Sequence, residues 1–183
     1  RLPTACAPST PMTRITVTAT ITIAATSPKA VVGKETFATQ IKSGQLYYIR
    51  NAYSGNGLDS AGSAAGSKFH NYQFQFKQKN QQFYLEQASG STDLYTLRRA
   101  DTSMYATVVG SELKLAADKT ATAAKFRLKI NVNGTYALIT ASSGYSSCIE
   151  GQPNGSTSVE NGTPIPCFTA YDLIVVNSET VDD

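Results

Sequence analysis

One spaced pattern, Tyr-x-(Ile/Leu)-x-x-Ala, occurs three times along this chain, as Tyr47-Ile49-Ala52, Tyr95-Leu97-Ala100 and Tyr136-Leu138-Ala141. Each copy is answered by an aromatic-x-Leu pair, at Phe83-Leu85, Phe126-Leu128 and Tyr171-Leu173. The openings are 48 and 41 residues apart and the closings 43 and 45, so the register holds at both ends of each unit. Repeats at roughly 44–91, 92–131 and 132–178 then fill the chain after residue 43. A period of this length means that no unit buries its apolar face alone; the copies must share one core.

The two-residue spacing inside each copy puts both apolar side chains on one face of a strand. Between opening and closing strands lie clusters such as Ser54-Gly55-Asn56-Gly57 and Ser142-Ser143-Gly144, which favour turns. No long segment carries apolar residues at helical spacing; Ala116 to Ala124 is Ala-rich but has too little large apolar surface. Helical solenoids are therefore poor candidates, and a propeller needs at least about four blades. An all-β, closed, pseudo-threefold barrel of about twelve short strands remains. The 183 residues suit one such domain at 37–183, preceded by an extension at 1–36.

Repeat one runs Tyr48-Ile49-Arg50-Asn51-Ala52-Tyr53-Ser54-Gly55-Asn56-Gly57-Leu58-Asp59, and later Asn80-Gln81-Gln82-Phe83-Tyr84-Leu85. These two stretches resemble the start and end of a unit in the ricin B-type (R-type) lectin-like β-trefoil family, whose units open on Ile, Asn, Ser-Gly and Leu-Asp and close on Asn-Gln, Trp and Leu. The resemblance covers residues 44 to 178, strongly in repeat one and weakly in the others, and it points to secreted fungal members with degenerate sugar sites. It implies a β-trefoil fold and carbohydrate binding.

The family places an internal disulfide where Cys148 and Cys167 stand here, so the resemblance implies that bond. In a loop-entropy view it restricts the unfolded chain by about 3 kcal/mol, and it belongs to an oxidising compartment. N-glycosylation sequons at Asn133, Asn154 and Asn161, all in Gly-containing turns, fit the same compartment. The start at Arg1-Leu2-Pro3 reads as a chain from which a signal segment has been removed. The expected location is extracellular. No apolar run approaches the roughly 20 residues of a membrane helix.

The extension contains Cys6, in the Pro-rich segment Pro3 to Pro11, with no second cysteine nearby. It reads as a free thiol or as half of a bond to another chain, and not as a redox pair. From residue 13 to 24, Ile15, Val17, Ala19, Ile21 and Ile23 alternate with threonines, the pattern of an amphipathic strand. That strand packs along the barrel, belongs to an O-glycosylated stalk, or offers an edge for a partner or a second copy. Residues 27–33 connect it to the barrel.

A net charge of +3, from 16 basic and 13 acidic residues, gives no general argument for nucleic acid. Arg98-Arg99 is either a phosphate clamp or a pair of solvated strand positions. With one histidine, His70, the paired-His zinc signatures are absent. No Gly-x-Ser-x-Gly elbow or phosphate-binding Gly loop occurs. A triad of His70 with a remote Ser and Asp, or a carboxylate pair for glycoside hydrolysis, has no specific support. The expectation is a protein without catalytic activity, metal or cofactor.

A sugar offers vicinal hydroxyls on one side and C–H groups on the other, so its site needs both polar and aromatic surface. In the resembled family a carboxylate after the first turn accepts from two sugar hydroxyls, an aromatic ring stacks, and an Asn or Gln completes the polar end. Repeat one matches with Asp59 as the carboxylate and Asn80 and Gln81 as the amides. The family's tryptophan is missing, as it is from the whole chain. Gln75 stands in its place, and Tyr72, Phe74 or Phe76 would have to substitute. Tyr72 is attractive because its hydroxyl also donates. Phe74 and Phe76 read first as core residues on one strand face, and Asp59 also reads as a turn residue bonding nearby backbone amides.

Repeat two has Tyr105-Ala106-Thr107 where Leu-Asp belongs and Ala123-Ala124 in place of the amides, a dead pocket. Repeat three offers Glu150 as a longer carboxylate, but Pro164 and Ile165 replace its polar and aromatic partners, a weak site. The leading reading is a secreted lectin-like trefoil binding glycans or glycoproteins. The rival is a protein-interaction module, similar to fungal protease inhibitors and effectors, that uses the same scaffold with lost sugar sites.

Overall fold

Six of the twelve strands close on one another. In a computed structural model, which describes residues 35–151, 157–160 and 169–177, the strands are β1 (Gln45–Asn51), β2 (Gly57–Ser60), β3 (Phe69–Tyr72), β4 (Gln82–Gln87), β5 (Leu94–Arg99) and β6 (Tyr105–Val109). They continue with β7 (Glu112–Ala116), β8 (Phe126–Ile130), β9 (Tyr136–Thr140), β10 (Cys148–Gly151), β11 (Thr157–Glu160) and β12 (Tyr171–Val175). Antiparallel pairing runs β1–β4–β5–β8–β9–β12 and back to β1, which closes a barrel with no free edge. Hairpins β2–β3, β6–β7 and β10–β11 close one end. Each is entered by a pairing to its own barrel strand, β1–β2, β5–β6 and β9–β10. This is the β-trefoil, with four strands from each unit.

The repeated pattern is the core. Tyr47, Ile49, Phe83, Leu85, Leu97, Phe126, Tyr136, Leu138, Tyr171 and Leu173 all lie in the central apolar cluster, almost wholly buried. Each such side chain contributes roughly 1.5–3 kcal/mol by leaving water. The conserved spacing to the alanines has a backbone cause: Ala52, Ala100 and Ala141 donate their amides to the carbonyls of Ala170, Gln82 and Lys125, the residue before the closing aromatic in each case. Leu58, Ala106 and Ile149, one from each hairpin, occupy equivalent buried positions.

The end of the barrel away from the hairpins is covered by the chain that leads into β1. Phe37 bridges Ile174 of β12, and Ala38 donates to the Leu173 carbonyl. Below it, the Tyr136 hydroxyl donates to the Ala38 carbonyl and the Tyr47 hydroxyl accepts from the Lys42 amide. Burial pushes both phenols above their ordinary range, and that of Tyr171 further still. The expected strand at 13–24, the connector, Cys6, Cys167, Pro164, Ile165, Asn154 and Asn161 lie outside the described residues. Asn133 is exposed in a turn, where its Oδ1 accepts from the Thr135 amide and hydroxyl. Cys148 is buried against Ala137 and Ile139.

Two sequence expectations are corrected at this level. Phe74 and Phe76 are not core residues on a strand face: β3 ends at Tyr72, and both rings sit half-buried in the irregular segment that follows. The Arg98-Arg99 pair is not a pair of freely solvated positions, since both guanidiniums are engaged within the protein. Arg98 is bonded to Glu86 at 2.9 Å and lies over the Tyr84 ring, while Arg99 is buried and bonded to Asp101, Ser60 and the Gly62 carbonyl.

Candidate functional site

Hairpin β2–β3 pairs Asp59 with His70 and Gly57 with Tyr72. Residues directly opposite in an antiparallel pair share a face, so these four make one surface. The Asp59 carboxylate is 1% exposed and is the hub of that surface. Its Oδ1 lies 3.0 Å from His70 Nε2, and its Oδ2 accepts from Asn80 Nδ2 at 2.8 Å and Gln81 Nε2 at 3.0 Å. A carboxylate has about four acceptor directions, so protein donors occupy most of them.

Gln81, itself buried, ties the hub to the loop after β3. Its Nε2 donates to the Gln73 carbonyl and its Oε1 accepts from the Gln75 amide. This close packing needs Gly57, because a Cβ there would lie 2.8 Å from Gln81 Oε1 and 3.3 Å from the Phe74 ring. The rest of the loop hangs on Tyr48, whose hydroxyl accepts from the Lys77 amide and from Gln82 Nε2, each at 2.8 Å. Lys77 takes a positive φ of 72° to reach it. Phe74 and Phe76 pack edge-on against the Tyr48 ring at 5.3 and 5.6 Å. The Arg50 guanidinium lies against Phe74 and Phe37, and Glu35 pairs with it through both oxygens.

Tyr72 is the exposed aromatic of this surface, 53% accessible, and it stacks on the His70 ring with centroids 5.3 Å apart and planes 16° from parallel. The structure thus brings Asp59, Tyr72, Asn80 and Gln81 together and adds His70, which sequence reasoning placed only in an unsupported triad. The signal that could have found it is the hairpin register: on a regular β2–β3 ladder, residue 59 faces residue 70. Gln75 enters only through its backbone amide; its side chain is exposed, not a stand-in for the missing ring. Asp59 is no turn residue capping amides, since it lies within β2 and all its partners are side chains.

In repeat two, Thr107 and Ala124 take the places of Asp59 and Gln81. Thr107 is buried, with its hydroxyl on the Tyr105 carbonyl. In repeat three Glu150 is buried and its Oε2 accepts from both the amide and the hydroxyl of Thr169. Thr169, two residues before β12 as Gln81 is two before Phe83, therefore holds the Gln81 position. The Glu150 carboxylate ties β10 to the start of β12.

No family profile matches this chain, and no curated protein matches it. Among solved structures it is similar to a mosquitocidal holotoxin, at TM-score 0.67 and 17% identity over 77% of this chain. It spans only 18% of that protein's length. It is also similar to the designed threefold-symmetric protein ThreeFoil, at TM-score 0.60 and 14% identity, over 72% of this chain and 99% of that one. A third is an endo-β-galactosidase from Clostridium perfringens that releases GlcNAcα1-4Gal, at TM-score 0.59 and 18% identity, over 73% of this chain and 33% of the enzyme. At these identities the likeness establishes the β-trefoil fold.

Proposed function

We propose that this chain is a carbohydrate-binding β-trefoil module of the ricin B-type kind, without catalytic activity, whose glycan site is in repeat one. The observation that carries the reading is the Asp59 network standing beside the exposed Tyr72 ring. Tyr72 supplies a platform for the C–H face of a pyranose, and the edge of His70 with the amide of Asn80 meets its hydroxyls. Asp59, itself buried, orients those two groups. The polar side of this site is therefore carried by His70 and Asn80, with Asp59 behind them. Two similar structures, a holotoxin and a glycan-cleaving enzyme, match this chain over only 18% and 33% of their own lengths. That disproportion supports the reading of a binding module.

The module belongs outside the cell, in the style of secreted fungal trefoils, with a Cys148–Cys167 bond and glycan on Asn133. A second reading, a protein-interaction trefoil with decayed sugar sites, draws on repeats two and three. Thr107 and Glu150 there are buried and bonded to the protein itself. A glycan array of wild type beside Tyr72→Ala separates the readings, because Tyr72 is exposed and its loss spares the buried network. Glycan binding that falls at least tenfold in the variant supports the lectin. A folded wild type that binds nothing on the array sinks it and directs the search to protein targets.

A further inference from the structure

Repeat two carries a cleft where repeat one is filled. Tyr47 pairs with Phe83 as Tyr95 pairs with Phe126, so Thr96 is the pseudo-threefold counterpart of Tyr48. In repeat one the space above this position is occupied by the Tyr48 ring with Phe74 and Phe76 packed on it. In repeat two the side chain is a threonine, the following loop carries no aromatic, and a cavity of about 290 Å³ opens. Glu86, Ser89, Thr96, Lys119, Thr120 and Lys125 contribute its polar lining. Its volume sits at the lower edge of ligand pockets, about 300 Å³, which suits a single ring.

The charges in this cleft are unevenly satisfied. Glu86 is paired with Arg98 at 2.9 Å, and Thr120 donates its hydroxyl and amide to Asp118. Lys119 and Lys125 form no ion pair among the described residues; Lys125 reaches Asp118 only at long range, as a minor contributor to lowering its pKa after the Thr120 bonds. Lys119, exposed, and Lys125, half-buried, thus line without an ion pair a cavity that a carboxylate and hydroxyl-bearing residues also line.

We infer that the repeat-two cleft is a second binding site, for one acidic sugar residue, with Lys119 and Lys125 on its carboxylate and Glu86 accepting from a ring hydroxyl. A bare anion makes no use of Glu86, whereas an acidic sugar uses both kinds of group. No aromatic ring lines the cleft, so hydrogen bonds and charge, not stacking, hold the ligand there. The site is separate from Asp59 and stands whether or not repeat one binds glycan.

The test is a titration of the full chain followed by amide chemical shifts at low ionic strength, where screening is weak. The probes are glucuronic acid, glucose and sodium sulfate. Glucuronic acid is expected to bind at least tenfold more tightly than either of the others and to shift residues 86–89 and 119–125. Lys119→Ala with Lys125→Ala lowers its affinity about tenfold. Thr96→Tyr, which restores the repeat-one residue, blocks the cleft, and Tyr72→Ala leaves binding there within twofold. Glucose binding as tightly removes the role of the lysines, and sulfate binding as tightly means an adventitious ion only. Loss of glucuronic acid binding in Tyr72→Ala, or its survival in the double lysine variant, overturns the assignment.

Discussion

Replacing Asp59 by alanine removes one carboxylate and strands three donors at once. Their recoveries differ. His70 is half-buried, with its side chain 32% exposed, and Asn80 is half-buried too, so both regain water. Gln81 is buried, and its Nε2 keeps only the Gln73 carbonyl. A hydrogen bond to a charged acceptor is worth about 1.5–3 kcal/mol net, and an unsatisfied buried donor costs about 1–3. Discounting the two donors that reach water, we expect Asp59→Ala to cost about 3 kcal/mol. For a domain of this size that is a fall in Tm of roughly 6–12 °C. Asp59→Asn keeps one oxygen for Asn80 and Gln81 and turns its amide toward His70, which can accept through Nε2 in its other tautomer; its cost is about 1 kcal/mol. Urea denaturation followed by near-UV circular dichroism of the three proteins measures both numbers. An alanine variant within about 0.5 kcal/mol of wild type refutes the hub, since that is the scatter of ordinary surface changes. Equal losses in the two variants would assign the effect to shape and not to the bonds.

Gly57→Ala is expected to destabilise by about 1–3 kcal/mol, because the new Cβ displaces Gln81 Oε1 from the Gln75 amide; hydrogen exchange at Gln75 should speed up while β1 and β4 stay protected. Tyr48→Phe removes the acceptor shared by Lys77 and Gln82 and is expected to cost about 1–3 kcal/mol, read by thermal melts, with faster exchange at Lys77. Asp101 is held below its ordinary pKa of 3.8, first by its hydrogen bond to Arg99 and then by the charge of that residue. A depressed carboxyl contributes stability above its unfolded pKa and loses it as pH falls through the folded one. Asp101→Asn should therefore lower stability at neutral pH and flatten its decline below about pH 4, as measured by urea melts between pH 2 and 7.

What the sequence showed well is what repeats. Tyr47, Leu97 and Leu138 announce the barrel because a shared core forces the same face inward three times, and the turn residues between them forbid helices. Asp59, Asn80 and Gln81 were legible for a related reason, since they sit at fixed offsets from Leu58 and Phe83, which the core positions. His70 was not legible, because only the strand register brings it opposite Asp59. Phe74 and Phe76 misled by their two-residue spacing, which satisfies a strand but also fits a loop folding back on Tyr48. Thr169 was not legible because a threonine two residues before Tyr171 does not by itself mark a partner for a carboxylate; the fold brings Glu150 onto it. Thr96 carried no signal by itself; a cleft made by the absence of a ring shows only when one repeat is laid on another.

The grip on Arg50 has a mechanical consequence. Glu35 and Phe37 hold this guanidinium from the incoming chain, and Phe74 lies on it from the loop that borders Tyr72. A load applied to the leader, as when a module hangs from a surface or a larger assembly by that end, is borne first by the Glu35 pair and by two main-chain bonds to β12, from the Val175 amide to Thr36 and from Ala38 to Leu173. The hydrogen-bonded barrel behind them is untouched until these yield. The same guanidinium is then released from one of its two rings, so tension on the tether would slacken the loop after β3 before it unfolds the domain.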